Sequence, residues 1–235
     1  MHIINNDKPA VLCIQEAPLP ADISKENKEH ICRYFTMDQF NGPIKIFATH
    51  HFQLEKLDNP RNDWSSRHER ATIIGMGMTF RIVNVHGFDL KNYPYGSAQR
   101  KIAFDLFKGI RVSNSVRTIF CGDFNSDPYS YEIGSESGLF SRYENDYVLE
   151  GSLRTHAWEY LSIKDVGTYR FTSPIEVRNW RMLDQIVFTC DLEMQKLEII
   201  TQLNGVVLSS PKGFPRKTIS DHFPISMELK GVKVL

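Results

Sequence analysis

The chain has 235 residues, with 28 lysines and arginines matched by 28 aspartates and glutamates, so its formal net charge is zero. That balance argues against coating nucleic acid by overall charge and leaves only a local basic groove for such a partner. No apolar run approaches the ~20 residues that span a bilayer, and Met1-His2-Ile3-Ile4-Asn5-Asn6-Asp7 has neither the basic nor the apolar part of a secretion signal.

The length suits one domain over residues 1–235. In chain order, Ala10–Gln15 reads as a strand, and Pro18 and Pro20 hold it apart from a helix running from Lys25 to about Phe35. Ile44–Thr49, Ala71–Ile74 and Thr79–Val85 read as strands. From Ser97 to Ile110 the spacing predicts a helix, with Ile102, Ala103, Leu106, Phe107 and Ile110 on one face, Ser97 capping its start and Gly109 its end. Arg117–Cys121, Leu183–Thr189, Leu197–Thr201 and Pro224–Leu229 are further strands, and the aperiodic stretch from Tyr129 to Trp158 reads as loops around a short helix. Strands dominate and helices interrupt them, so the expected class is α+β: two packed sheets flanked by helices. Cys13, Cys32, Cys121 and Cys190 show no CxxC or zinc spacing and read as buried, reduced thiols of a cytoplasmic protein.

Several strands end in the same chemical way. Val11-Leu12-Cys13-Ile14 runs into Gln15-Glu16, Ile82-Val83-Asn84-Val85 into His86, and Ile119-Phe120-Cys121 into Gly122-Asp123-Phe124-Asn125. Asp184 opens the run Gln185-Ile186-Val187-Phe188, and Ser220-Asp221-His222 precedes the last strand. Polar groups left unpaired in an apolar core cost about 2–7 kcal/mol, so strand ends of this kind belong at the rim of a sheet. If they converge, they assemble carboxylates, one carboxamide and two imidazoles. Such an oxygen-rich set suits magnesium, held by one or two carboxylates and water, better than zinc.

With these motifs in this order, the chain resembles the endonuclease/exonuclease/phosphatase superfamily. The matching residues are Leu12-Cys13-Ile14-Gln15-Glu16, Val83-Asn84-Val85-His86, Gly122-Asp123-Phe124-Asn125, Leu183-Asp184-Gln185-Ile186 and Ser220-Asp221-His222-Phe223-Pro224. The resemblance implies a four-layer α/β/β/α sandwich with the site at one edge of two mixed, mainly antiparallel sheets. It also implies hydrolysis of a phosphoester dependent on Mg2+, with Mn2+ as a substitute. Glu16 then resembles the principal metal ligand, with Asp221 on the metal side. Asp123 resembles the residue that orients water, Asn125 a partner for water or phosphate, and His222 the histidine on the scissile phosphate with Asp184 behind it. His86 matches the second histidine of deoxyribonuclease- and sphingomyelinase-like members. Apurinic endonucleases usually carry a tyrosine there, which points away from abasic-site repair. Family members begin with a strand bearing a metal-facing asparagine. Only nine residues precede Ala10 here, so the resemblance implies an N-terminally shortened domain with an open sheet edge and weaker metal affinity.

The substrate is not chosen by fold. Arg178 and Arg181, approaching Asp184, are candidates for substrate binding, and Arg61–Arg70 with Trp64 reads as a loop between strands that could meet phosphate or base. The expected reaction is nuclease-like phosphodiester cleavage. A phosphomonoesterase or lipid-headgroup phosphodiesterase, or a binding module with little turnover, are the alternatives.

Overall fold

The computed structural model describes residues 10–17, 24–35, 42–58, 65–75, 77–89, 97–110, 117–126, 128, 130, 141–142, 154–156, 167–170, 180–189, 192, 194–203 and 205–229. Their strands are β1 (Val11–Ile14), β2 (Lys45–Ala48), β3 (Gln53–Lys56), β4 (His68–Gly75), β5 (Met78–His86), β6 (Thr118–Asp123), β7 (Ser141–Arg142), β8 (Arg154–His156), β9 (Tyr169–Arg170), β10 (Trp180–Arg181), β11 (Asp184–Thr189), β12 (Met194–Ile199), β13 (Gln202–Leu203), β14 (Val206–Val207) and β15 (Ile225–Leu229). The helices are α1 (Lys25–Tyr34) and α2 (Ala98–Ile110). A seven-stranded mixed sheet in the order β3-β4-β5-β6-β11-β8-β7 forms the centre, with the β5–β6 pair parallel. The pairs β1–β2 and β12–β15 are antiparallel, and among the described residues they form separate two-stranded sheets.

Period-two alternation divides the core. Phe80 and Ile82 of β5, Ile119 of β6, and Ile186 and Phe188 of β11 join Ile46, Ala48, Met194 and Leu229 in the largest cluster. The opposite face of the same strands carries Val83, Val85, Phe120 and Val187, which pack on Leu106 and Phe107 of α2. On the other side of β1–β2, Leu12, Ile14 and Phe47 meet Ile31, Tyr34 and Phe35. Each helix thus covers a different strand layer, because an amphipathic helix must bury its apolar stripe. Buried Asn84 ties β5 to the β1–β2 pair: it donates to the carbonyls of Ile14 at 3.0 Å and Lys45 at 2.9 Å and accepts from the Gln15 amide.

The expected strands and both helices occur, with corrections at their edges. Ser97 does cap α2, its Oγ accepting from the Arg100 N–H at 3.4 Å, but Gly109 lies inside the helix rather than past it. Of the 129–158 region the described residues are Ser130 and the short strands β7 and β8, and the rest, with the expected short helix, lies outside the described residues. His68, Glu69 and Arg70 belong to β4 rather than to a loop, since each pairs with a residue of β5; Trp64 and Arg178 lie outside the described residues. Cys32 is exposed on α1, so it is not a buried thiol.

Candidate active site

Register alone brings three of the expected residues into one row. In the β5–β6 pair His86 stands opposite Asp123, and in the β6–β11 pair Asp123 stands opposite Asp184. Directly facing positions are about 4.5–5.5 Å apart. Asp123 therefore has an imidazole on one flank and a carboxylate on the other.

Two corners aim side chains at this row. Glu16 follows β1 with φ at +52° and Asn125 follows β6 with φ at +51°, a conformation that costs non-glycine residues energy and persists where the surroundings enforce it. Around Glu16 the enforcers are the Gln15–Asn84 bond and the Ala17 N–H, which donates to the Pro43 carbonyl at 2.7 Å. The Asn125 corner closes on its own acid, since its backbone N–H donates to Asp123 Oδ1 at 2.8 Å and its Nδ2 to Asp123 Oδ2 at 2.8 Å. Gly122 makes the approach possible. Its φ is +125°, and a Cβ there would strike the Val85 carbonyl and lie 2.9 Å from both Asn84 Oδ1 and Gln15 Nε2.

Around Asp123 the charges are coupled. His86 Nε2 lies 3.9 Å from Asp123 Oδ2 and 3.5 Å from Glu16 Oε1. Burial first, and then the facing Asp184 carboxylate, push Asp123 up to about 7, against the pull of His222 and the Asn125 N–H. His222 Nδ1 donates to Asp184 Oδ2 at 2.7 Å. Burial favours the neutral ring, but the Asp184 hydrogen bond and charge, joined by Asp123 and Asp221, prevail and raise His222 to about 9. His86 goes the other way: burial and then the Arg67 guanidinium lower it, and Glu16 opposes them. The site therefore holds one cationic and one neutral imidazole near pH 7.

Two residues that sequence reasoning missed hold the Asp184–His222 pair. Thr168 is fully buried; its Oγ1 accepts the Asp184 N–H at 3.1 Å and its carbonyl accepts the Phe223 N–H at 2.8 Å. Tyr169 forms a backbone bridge with His222, and the two rings lie 4.8 Å apart. Gly167-Thr168-Tyr169 carries no periodicity, so only contact across the fold exposes it. Asp221 is exposed beside His222. Arg181 is half-buried on β10, opposite Tyr169 in register. His50 reaches the Cys32 carbonyl at 3.0 Å, on α1.

Among the described residues, no three His, Cys, Asp or Glu side chains gather closely enough to enclose a metal ion. That donor set does not make a closed zinc cage. It does fit an open, hydrated oxygen site, for which one or two carboxylates suffice.

Solved structures resemble the chain over nearly its full length. TDP2 from D. rerio, complexed with a single-strand DNA product, is 19% identical with a TM-score of 0.58, covering 94% of this chain and 86% of its own. An AP endonuclease from Archaeoglobus fulgidus is 16% identical with a TM-score of 0.60, covering 97% and 91%. The chain has the endonuclease/exonuclease/phosphatase fold. The mannosyl-6-phosphatase from Bacteroides thetaiotaomicron, 18% identical with a TM-score of 0.61 over 97% of this chain and 87% of its own, shares it. No family model and no curated protein matches the chain. Within the described residues no helix is long and apolar enough to cross a membrane.

Proposed function

We propose that this chain is a divalent-metal-dependent phosphoester hydrolase, acting on phosphodiesters in the manner of a nuclease. The observation that carries the reading is the His86–Asp123–Asp184–His222 row, with one raised acid beside a histidine locked to a carboxylate. Neighbours of the same fold include a phosphatase and a TDP2 bound to DNA product, which supports a phosphoester substrate. The four-layer sandwich belongs to this reading, supported by α1 and α2 covering different strand layers.

In the proposed mechanism Asp123, once ionised, accepts a proton from water and orients it for in-line attack, with Asn125 fixing the carboxylate plane. Asp184 holds the His222 imidazolium through Nδ1–H, which leaves Nε2–H to donate to a phosphate oxygen and to stabilise the charge that develops there. Neutral His86 donates or accepts at the water side. Exposed Glu16, with Asp221, would hold a magnesium or manganese ion, which when bound neutralises phosphate charge. Arg181 approaches the substrate from β10.

The test is a panel of single-stranded DNA, double-stranded DNA, bis(p-nitrophenyl) phosphate and sugar phosphates, with Mg2+ or Mn2+. Metal-dependent cleavage lost in Glu16→Ala and His222→Ala is expected. Turnover untouched by both substitutions refutes the assignment. A phosphomonoesterase is the second reading, favoured by the mannosyl-6-phosphatase neighbour, and release of phosphate with no diester cleavage would select it.

A further inference from the structure

Arg67 closes the short 3-10 turn Ser65–Arg67, immediately before β4. Because His68 pairs with Val85, that turn lies beside the end of β5 that carries His86. Arg67 Nη1 donates to the Gly87 carbonyl at 3.4 Å, the same oxygen that receives Asn125 Nδ2 at 3.4 Å. The guanidinium and the carboxamide of the site thus meet at one atom. The Arg67 Cζ stands 4.7 Å from the centre of the Phe88 ring, and Phe88 is packed against the α2-side core, so the platform beneath the guanidinium is fixed.

Among the described residues this half-buried cation has no ion-pair partner. A long bond to a neutral carbonyl and an aromatic face orient it without neutralising it. Its planar fork has five N–H donors, and these two contacts leave most of them for an anion, bidentate if the anion is phosphate. The anion it would meet is not the one held by His222. Arg67 reaches the Gly87 carbonyl beyond the end of β5, whereas His222 is bonded to Asp184 at the start of β11, so the two lie on opposite sides of the β6 end that carries Asp123.

We propose that Arg67 is a substrate-recognition residue that binds the phosphate neighbouring the one cleaved, so that the site selects a chain of phosphodiesters over an isolated phosphoester. The inference rests on the hydrolase reading, but binding tests it separately from turnover. A fluorescein-labelled oligothymidine is titrated with the full chain in EDTA at several salt concentrations, for wild type, Arg67→Met and Arg67→Lys. Turnover of the oligonucleotide and of bis(p-nitrophenyl) phosphate is then measured in magnesium. Arg67→Met is expected to weaken oligonucleotide binding roughly tenfold and to lower the slope of log affinity against log salt by about 1. Its KM for the oligonucleotide rises by a similar factor, the loss with bis(p-nitrophenyl) phosphate is much smaller, and Arg67→Lys recovers part of the binding. Unchanged affinity and salt slope in Arg67→Met, or equal losses on both substrates, overturn the proposal. Arg67-dependent binding without turnover of either substrate would remove the hydrolase reading and leave the recognition role standing.

Discussion

Replacing Asp123 by asparagine should make the metal-free protein more stable while destroying its activity. Asp123 is 8% exposed and stands opposite Asp184 with its carboxyl raised from 3.8 to about 7. At 1.36 kcal/mol per pKa unit, ionising it in the folded chain costs about 4 kcal/mol more than in the unfolded chain. The sign follows from the raised value. The protonated acid's contribution is complete below about pH 4 and is lost as pH rises through about 7, so above 7 the native state bears the whole cost. An uncharged amide removes that cost. It also sets a donor against Asn125 Nδ2, where a carboxylate oxygen now accepts at 2.8 Å, which returns about 1 kcal/mol. Asp123→Asn should therefore gain about 2–3 kcal/mol at pH 8 and nothing at pH 4.5. Urea unfolding in EDTA at both pH values, with a phosphodiesterase assay alongside, measures it. A variant no more stable than wild type at pH 8, or equally stabilised at both, refutes the coupling described here.

The His222–Asp184 pair has a pH dependence of the same sign in a higher window. His222, raised to about 9, contributes stability that is complete below about pH 6.5 and lost as pH rises through 9. Asp184→Asn should bring its NMR titration back toward about 6.5 and flatten that part of the stability profile; a titration still near 9 would show that Asp184 is not the cause. Gly122→Ala should lose about 3 kcal/mol by urea titration, because φ is +125° and the Val85 carbonyl blocks the new methyl. Thr168→Val removes the acceptor of the Asp184 N–H and should cost about 1–2 kcal/mol, and turnover should fall and recover in Thr168→Ser. Turnover equal to wild type in Thr168→Val would deny the hydroxyl a positioning role.

Much of the site was legible because strand-end chemistry is local. A carboxylate or imidazole after an apolar run has to lie at a sheet rim, so Glu16, His86, Asp123, Asn125, Asp184 and His222 could be singled out before any contact was known. The structure brings four of them together, with Asp184–His222 at 2.7 Å and Asp123 faced by both His86 and Asp184. Less legible were the elements without periodicity. The edge strand Gln53–Lys56, mostly exposed and apolar only at Leu54, has no core stripe to betray it, and β7, β8, β9 and β10 are too short to show alternation. The charged residues around Arg67 mask the start of β4, whose pairing with β5 overrides composition.

The sequence by itself determined the strand and helix periodicities, the order of the polar strand ends and the balance of charge, since each is a property of neighbours along the chain. Only the tertiary structure decided the rest. Placing Asp123 between His86 and Asp184 depends on which strands pair and in what register. Raising Asp123 depends on its burial, with the facing Asp184 carboxylate adding to it, whereas His222 is raised against its burial by the hydrogen bond and charge of Asp184. Enlisting Thr168, Tyr169 and Arg67 depends on contacts between residues far apart in sequence, because hydrogen bonds and Coulomb forces act through space and leave no periodic trace in the chain.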